Sequence, residues 1–347
     1  MDLSTDNLEA KERALHDLLR HCGRAVIGYS GGVDSTYLAK AALDALGEDH
    51  VLAVTALSPS FPQSQREAAE RVACSIGLPH LKIETNETSD PNYLANPRDR
   101  CYFCKTELYG QLVAVARERG FASVLDGSNA DDLDDHRPGL RAVRELGVRS
   151  PLQEVGLTKS EIRELSRRAG LSTWEMPASP CLASRLPYGT PVTPQRLRQV
   201  EEAESRLRTL HGWGDLRVRH HGDLARLEVA GADLALFERP GLRVWVAQAL
   251  QQAGYSRAGL DLQGYRRGAL NERAGSVLTG NGPSTSEAER RLAPYGIRAG
   301  VEGAGADGEV AVIRVASGAG RLVGELRAAA VEACRAAGFR YVTLALL

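Results

Sequence analysis

The feature that most constrains this chain is the stretch Ser30-Gly31-Gly32-Val33-Asp34-Ser35. It follows an apolar run, Ala25 to Tyr29, that reads as a buried strand. It precedes Thr36 to Leu46, which reads as a helix. A serine- and glycine-rich loop between a strand and a helix is a phosphate cradle. Its glycines let the backbone approach an anion, and the N–H groups at the helix start point at it. The plain alternative is an ordinary βα turn with a capping aspartate. A Walker A loop is excluded, because no Gly-Lys-Ser/Thr follows at the required spacing.

The surrounding pattern fits an α/β fold. Residues 9–22 have helical apolar spacing, Val51–Leu57 and His80–Ile83 read as strands, and Ser64–Ile76 as a helix. Cys104–Arg119 reads as a long helix and Ser123–Leu125 as a fourth strand. Strands alternating with helices predict a doubly wound parallel sheet, whose ligands bind at the carboxyl ends of the strands. The loops at Ser30, Ser58 and Asp126–Asp132 all fall at such ends. Thr158 with Glu161 predicts a capping box. Pro177–Pro194 carries five prolines and reads as an irregular, functional loop.

From Thr193 the pattern changes to a smaller α+β unit. It has a charged helix (Pro194–Leu210), strands at Leu216–Arg219 and Leu224–Val229, a helix at Gly241–Ala253 and a strand at Ser256–Leu262. A Gly/Ser/Pro/Asn-rich linker follows. The tail then echoes the second unit: Val310–Val315 matches Leu224–Val229, and Leu344-Ala345-Leu346 matches Leu260-Asp261-Leu262. In this reading Glu228 becomes Arg314, Asp261 becomes Ala345, and Arg219 aligns with Gly300. The expected organisation is a first domain over 1–190, a second over 191–272, a linker over 273–286 and a degenerate repeat of the second domain over 287–347, a structural or interaction unit without chemistry.

A formal net charge of −1 supplies no global basic field for nucleic acid. The acidic start and the lack of a long apolar run exclude a usual signal peptide and a membrane span. The six cysteines are therefore expected in a reducing cytoplasm, serving metal binding or catalysis more often than disulfides. Cys101-Tyr102-Phe103-Cys104 is a CxxC open to three readings: redox, half of a zinc site, or a metal or iron–sulfur site completed by a distant cysteine. Cys181, in the proline-rich loop, is the candidate for completion. Cys22, Cys74 and Cys334 sit on apolar helix faces and read as small buried hydrophobes.

Several segments taken together resemble one family. They are Ser30–Ser35, Asn96–Lys105, Asp126–Asp132, His136–Ala142, Gly156-Leu157-Thr158-Lys159, Pro177–Arg185 with Pro187-Tyr188-Gly189, and Asp261–Arg266. In order and spacing they resemble the LarE family, ATP-dependent sulfur transferases of nickel-pincer cofactor synthesis with an adenine nucleotide α hydrolase-like PP-loop domain. The resemblance covers about residues 8–272 and not the tail. It implies ATP-dependent adenylation of pyridinium-3,5-biscarboxylic acid mononucleotide, release of pyrophosphate, and replacement of AMP by sulfur.

On that resemblance, Ser30, Gly31, Gly32, Asp34, Ser35, Ser58, Asp126 and Asn129 are the expected ATP ligands. Asp34 and Asp131 would hold Mg²⁺, although Asp131 and Asp132 also read as solvated loop charges. Arg217, Arg219, Glu228 and Arg185 would form the cleft for the substrate phosphate, with Tyr188 and Arg266 as weaker candidates. A solvated strand face is the alternative for the arginine pair. Cys101, Cys104 and Cys181 would hold a 4Fe–4S cluster that carries an extra sulfide. The alternative is a sacrificial Cys181 that donates its own sulfur. The expected partner is a small-molecule nucleotide, with a homo-oligomer and a sulfide donor both open and neither nucleic acid nor membrane involved. The rival classes are tRNA thiolation, an amidating PP-loop ligase, and a nucleotide-binding regulator without catalysis.

Overall fold

The computed structural model describes residues 5–133, 138–177, 179–209, 211–266, 268–269 and 282–346. His136, Arg137, Ala178 and residues 273–281 of the expected linker lie outside them. The chain divides into two compact units, Met1–Cys181 with Pro191–Thr193, and Leu182–Thr190 with Pro194–Leu347.

In the first unit α1 (Thr5–Cys22) is followed by β1 (Ala25–Gly28), α2 (Val33–Leu46), β2 (Val51–Leu57), α3 (Gln63–Ser75) and β3 (His80–Glu84). Then come α4 (Pro91–Leu94), α5 (Arg100–Glu118), β4 (Ser123–Leu125), α6 (Pro138–Glu145), α7 (Pro151–Glu154) and α8 (Lys159–Arg168). The sheet order is β3-β2-β1-β4 and every pairing is parallel. Helices cover both faces, so the strands read as near-continuous apolar runs. Ala25 and Ile27 point into one core, with Leu38, Ala69 and Ile162. Val26 points into the other, with Tyr109, Leu112 and Val143. Each fully buried leucine here is worth about 2 kcal/mol. The chain leaves β1 toward β2 and returns to β1's other side as β4. The β1 and β4 ends therefore flank the topological switch point, where such sheets bind ligands.

In the second unit α9 (Pro194–Arg208) leads to β5 (Leu216–His221), β6 (Leu224–Val229), α10 (Pro240–Gln252) and β7 (Arg257–Asp261). After these come α11 (Thr285–Leu292), β8 (Ala299–Ala304), β9 (Val310–Val315), α12 (Ala319–Val323), α13 (Arg327–Ala336) and β10 (Tyr341–Ala345). All six strands form one mixed sheet in the order β5-β6-β7-β10-β9-β8. Each triplet has one antiparallel and one parallel pairing, and β7 meets β10 antiparallel. The registers also correspond: Leu224 pairs with Arg257 as Val310 pairs with Tyr341. Leu216 pairs with Val229 as Ala299 pairs with Val315. This corrects one expected correspondence. Gly300, opposite Arg314, occupies the place of Arg217, opposite Glu228, and Glu302 occupies the place of Arg219.

One further boundary differs from expectation. The helix expected over Cys104–Arg119 begins at Arg100 instead, which takes Cys101 into its first turn and sets Cys104 at the start of the second. Among the described residues no helix is long and apolar enough to cross a membrane.

Candidate functional site

Gly31 has φ +70°, and a Cβ built on it would lie 2.6 Å from the Ala69 Cα. Only glycine fits there. Gly32 caps α2 with no side-chain bond, so the first N–H groups of the helix lack a side-chain cap. The loop is braced from within. Ser35 Oγ donates to the Gly32 carbonyl at 3.2 Å and lies 3.1 Å from Ser30 Oγ. The Ser30 N–H donates to Ser35 Oγ at 3.2 Å. Gly127, at the β4 end, approaches so closely that a Cβ on it would lie 3.2 Å from Ser35 backbone. The two predicted loops therefore meet at the switch point.

Asp34 stands in the first turn of α2, where Lys159 Nζ donates to its Oδ2 at 2.5 Å. Its Oδ1 is buried without a hydrogen-bond partner among the described residues. The Lys159 N–H donates to Asp131 Oδ2 at 3.0 Å. Lys159 thus joins the two expected magnesium ligands, and sequence reading had not placed it in the site. Its position follows from the capping box: Glu161 N–H donates to Thr158 Oγ1 and Thr158 N–H to Glu161 Oε2 at 2.8 Å. Such a cap is worth about 1 kcal/mol.

The other expected ATP residues are engaged inside the unit. Asp126 Oδ1 accepts from Ser128 N–H at 2.8 Å, and Oδ2 accepts from Lys105 Nζ at 3.2 Å and from the Tyr109 hydroxyl. Burial opposes ionisation of Asp126, but Lys105 and these hydrogen bonds prevail and hold its pKa at about 2. The Asn129 side chain caps the turn Ala130–Asp132 by accepting from Asp131 N–H at 3.0 Å. Ser58 is buried, donates to Glu87 and lies 2.8 Å from Ser60 Oγ.

Cys101 and Cys104 are three apart in α5 and so share a face; Cys101 is exposed, while Cys104 and Cys181 are half-buried. Desolvation and, after it, the negative charge of Cys181 raise both helix thiols, Cys104 to about 12, against the pull of Arg100 on Cys101 and of Lys105 on both. The three sulfurs therefore feel one another. As soft donors from one neighbourhood they suit an iron–sulfur centre in kind. Among the described residues, however, no group of three or more His, Cys, Asp or Glu side chains is arranged to hold a metal ion.

In the second unit Arg217, Arg219 and His221 share one face of β5 and are all buried. Arg219 Nη2 lies 2.7 Å from Glu228 Oε2, and its Nη1 donates to the Ser184 carbonyl at 2.9 Å. The Arg217 guanidinium lies 5.1 Å from the Tyr265 ring centroid. Burial and the positive charge of Arg185 lower the Arg217 pKa. Arg185 itself grips Glu204 with two donors, at 2.8 and 3.0 Å. Burial opposes ionisation of Glu204, but Arg185 and Arg208 overcome it and hold the pKa at about 2. Sequence reading missed two members, Glu204 and the fully buried Arg226, which lies 2.9 Å from Glu228 and also pairs with Asp261. Arg266, a weaker candidate, lies 4.0 Å from Asp261. An open pocket of about 700 Å³ in the second unit is lined by residues that include Leu262, Arg327, Val331 and Phe339 and none of these second-unit candidates.

A family model described as NAD synthase matches residues 8–96. An uncharacterized protein of Synechocystis is 45% identical over 264 residues, which is 76% of this chain and 98% of that protein. Pyridinium-3,5-bisthiocarboxylic acid mononucleotide synthase of Lactiplantibacillus plantarum is 38% identical over 265 residues, 76% of this chain and 95% of that enzyme. An uncharacterized protein of Methanocaldococcus jannaschii is 28% identical over 206 residues, 59% of this chain and 77% of that protein. About a quarter of this chain therefore has no counterpart in the first two relatives.

Proposed function

This chain belongs to the LarE family of PP-loop, ATP-dependent enzymes, and from that premise we propose that it inserts sulfur into pyridinium-3,5-biscarboxylic acid mononucleotide. A substrate carboxylate oxygen attacks the α-phosphorus of ATP. The Pα–O–Pβ bond breaks, pyrophosphate leaves with the bonding electrons, and an acyl-adenylate forms. Sulfur then attacks the carbonyl carbon and displaces AMP, leaving a thiocarboxylate. A second cycle converts the other carboxylate.

The observation that carries this reading is the uncapped start of α2 behind Gly31, with Lys159 and Asp34 beside it. N–H groups at a helix start and a lysine are what departing pyrophosphate needs. Asp34 and Asp131 would hold the Mg²⁺ of ATP, which neutralises that developing charge. Asp126, Asn129 and Ser58 hold the shape of the ATP end through bonds already made. Arg217 and Arg219 receive the mononucleotide's phosphate, with Arg185 adding positive charge and Glu228 fixing the Arg219 guanidinium.

Cys101, Cys104 and Cys181 would hold a 4Fe–4S cluster, whose chemistry is to keep one iron position open for exogenous sulfide. The protein's own contribution is to supply three thiols from α5 and the proline-rich loop, with Lys105, and Arg100 at Cys101, offsetting part of the rise that desolvation imposes on the helix thiols. Residues 287–347 descend from a duplication of the second domain, a reading that the shared strand order and register support.

The test is ATP–pyrophosphate exchange. It should require the pyridinium dicarboxylate mononucleotide, be indifferent to tRNA, and vanish in Asp34→Ala. Exchange that needs tRNA, or none with the mononucleotide, overturns the reading. Anaerobic protein should be brown with about four irons per chain. Cys101→Ala should bleach it. Loss of the elements of H₂S from Cys181 after a single turnover would replace the cluster reading by the sacrificial one.

A further inference from the structure

The tail is joined to the second unit with internal symmetry. Leu260 of β7 pairs with Leu344 of β10, flanked by Asp261 with Thr343 and Gly259 with Ala345. In the triplet correspondence Leu344 stands where Leu260 does, so equivalent residues meet at the junction. The tail thereby covers a strand edge, and it also reaches into the polar face of β5-β6-β7.

Tyr341, at the start of β10, lays its buried ring 3.8 Å from the centre of the Arg226 guanidinium. Arg226 is fully buried, and its Nη2 has no hydrogen-bond partner among the described residues. Its Nε donates to His221 Nε2 at 3.1 Å, which puts the imidazole proton on Nδ1. That Nδ1 faces Glu309 Oε1 at 3.4 Å, and Arg340 lies 3.6 Å from the other oxygen of Glu309. Arg226 Nη1 in turn lies 2.9 Å from Glu228 Oε1, and the other oxygen of Glu228 takes Arg219 at 2.7 Å. The contacts form one line: Tyr341 directly, and Glu309 through His221, meet Arg226, which Asp261 also pairs; Arg226 meets Glu228, and Glu228 meets Arg219.

A buried guanidinium holds its place only while its charge is paired and water is kept from its face. The ring of Tyr341 supplies that cover and an attraction to the cation. We propose that residues 287–347 are a positioning unit for the substrate-phosphate arginines, acting through Tyr341 and Glu309 on Arg226. This rests on the assignment of Arg217 and Arg219 to the phosphate. Arg226 and Tyr341 touch no substrate; they fix the carboxylate that aims Arg219.

The experiment is steady-state kinetics on the full chain. In Tyr341→Leu the KM for the mononucleotide should rise about tenfold, with KM for ATP and kcat within about twofold of the parent. Tyr341→Phe keeps the ring and should restore the parent KM. Glu309→Gln should raise the same KM about threefold, which keeps the proposal testable if Tyr341→Leu does not fold. Arg219→Ala separates the two readings. If it raises the mononucleotide KM while the Tyr341 and Glu309 variants do not, the positioning role is wrong and the phosphate assignment stands. If it leaves that KM unchanged, the phosphate assignment fails and takes the positioning role with it. A Tyr341→Leu chain that only melts earlier, with no selective KM change, also overturns the proposal.

Discussion

The two triplets of the six-stranded sheet share order and register but differ in chemistry on one face. On β5-β6-β7 that face carries Arg217, Arg219, His221, Arg226, Glu228 and Asp261, all buried. On β8-β9-β10 the matching positions are Gly300, Glu302, Ala304, Val312, Arg314 and Ala345. The opposite face is apolar in both apart from the buried His220: Val218, Leu227 and Leu260 answer to Val301, Ile313 and Leu344. The shared apolar face suffices for the topology. The polar face is free to carry chemistry in one triplet and to lose it in the other.

The largest expected effect comes from breaking the polar face where it is buried. Glu228→Ala leaves Arg219 and Arg226 without their shared carboxylate and should cost about 3–5 kcal/mol in denaturant unfolding. A loss below 1 kcal/mol would mean that the network is not what distinguishes the first triplet. Next comes the junction shared by both triplets. Leu260→Ala and Leu344→Ala are both fully buried truncations, so each should cost about 3 kcal/mol, and unequal losses would break the equivalence.

A third test uses pH. Glu204 titrates at about 2 in the folded chain against an ordinary 4.5. Its contribution is therefore complete above pH 5 and fades as pH falls toward 2. Unfolding titrations should show about 3 kcal/mol lost across that window and a shallower slope in Glu204→Gln. Parallel slopes would refute the paired state of Glu204. The smallest effect belongs to the second triplet's own ion pair, Glu302 with Arg314 at 2.8 Å, which is exposed. Glu302→Ala should change stability by no more than about 0.5 kcal/mol.

How far these features could be read from the sequence depended on how local their causes are. Val51–Leu57 and Ser123–Leu125 were legible to the residue, because buried parallel strands are apolar runs with abrupt ends. The Thr158 cap was legible, since its partner lies three residues away. The start of α5 was not, because Arg100–Phe103 has no apolar period to extend the helix backwards. The Ser30 loop was legible as a motif, but the Lys159–Asp34 contact spans 125 residues and leaves no local signal. Arg226 was hidden by its own strand. Leu224 to Val229 alternates as a half-exposed strand would, yet both faces are buried. Alternation records a change of polarity between faces, and a polar face can be interior when its charges pair.

The place of β10 in the sheet has a consequence for how the chain is made. It is the last of the six strands to leave the ribosome, yet it lies between β7 and β9. Until it arrives, those two strands each present a bare row of backbone donors and acceptors, the surface on which nascent chains pair wrongly. Its insertion closes both rows in one event and brings Tyr341 onto Arg226. The six-stranded sheet is therefore complete only once its last-made strand is in place.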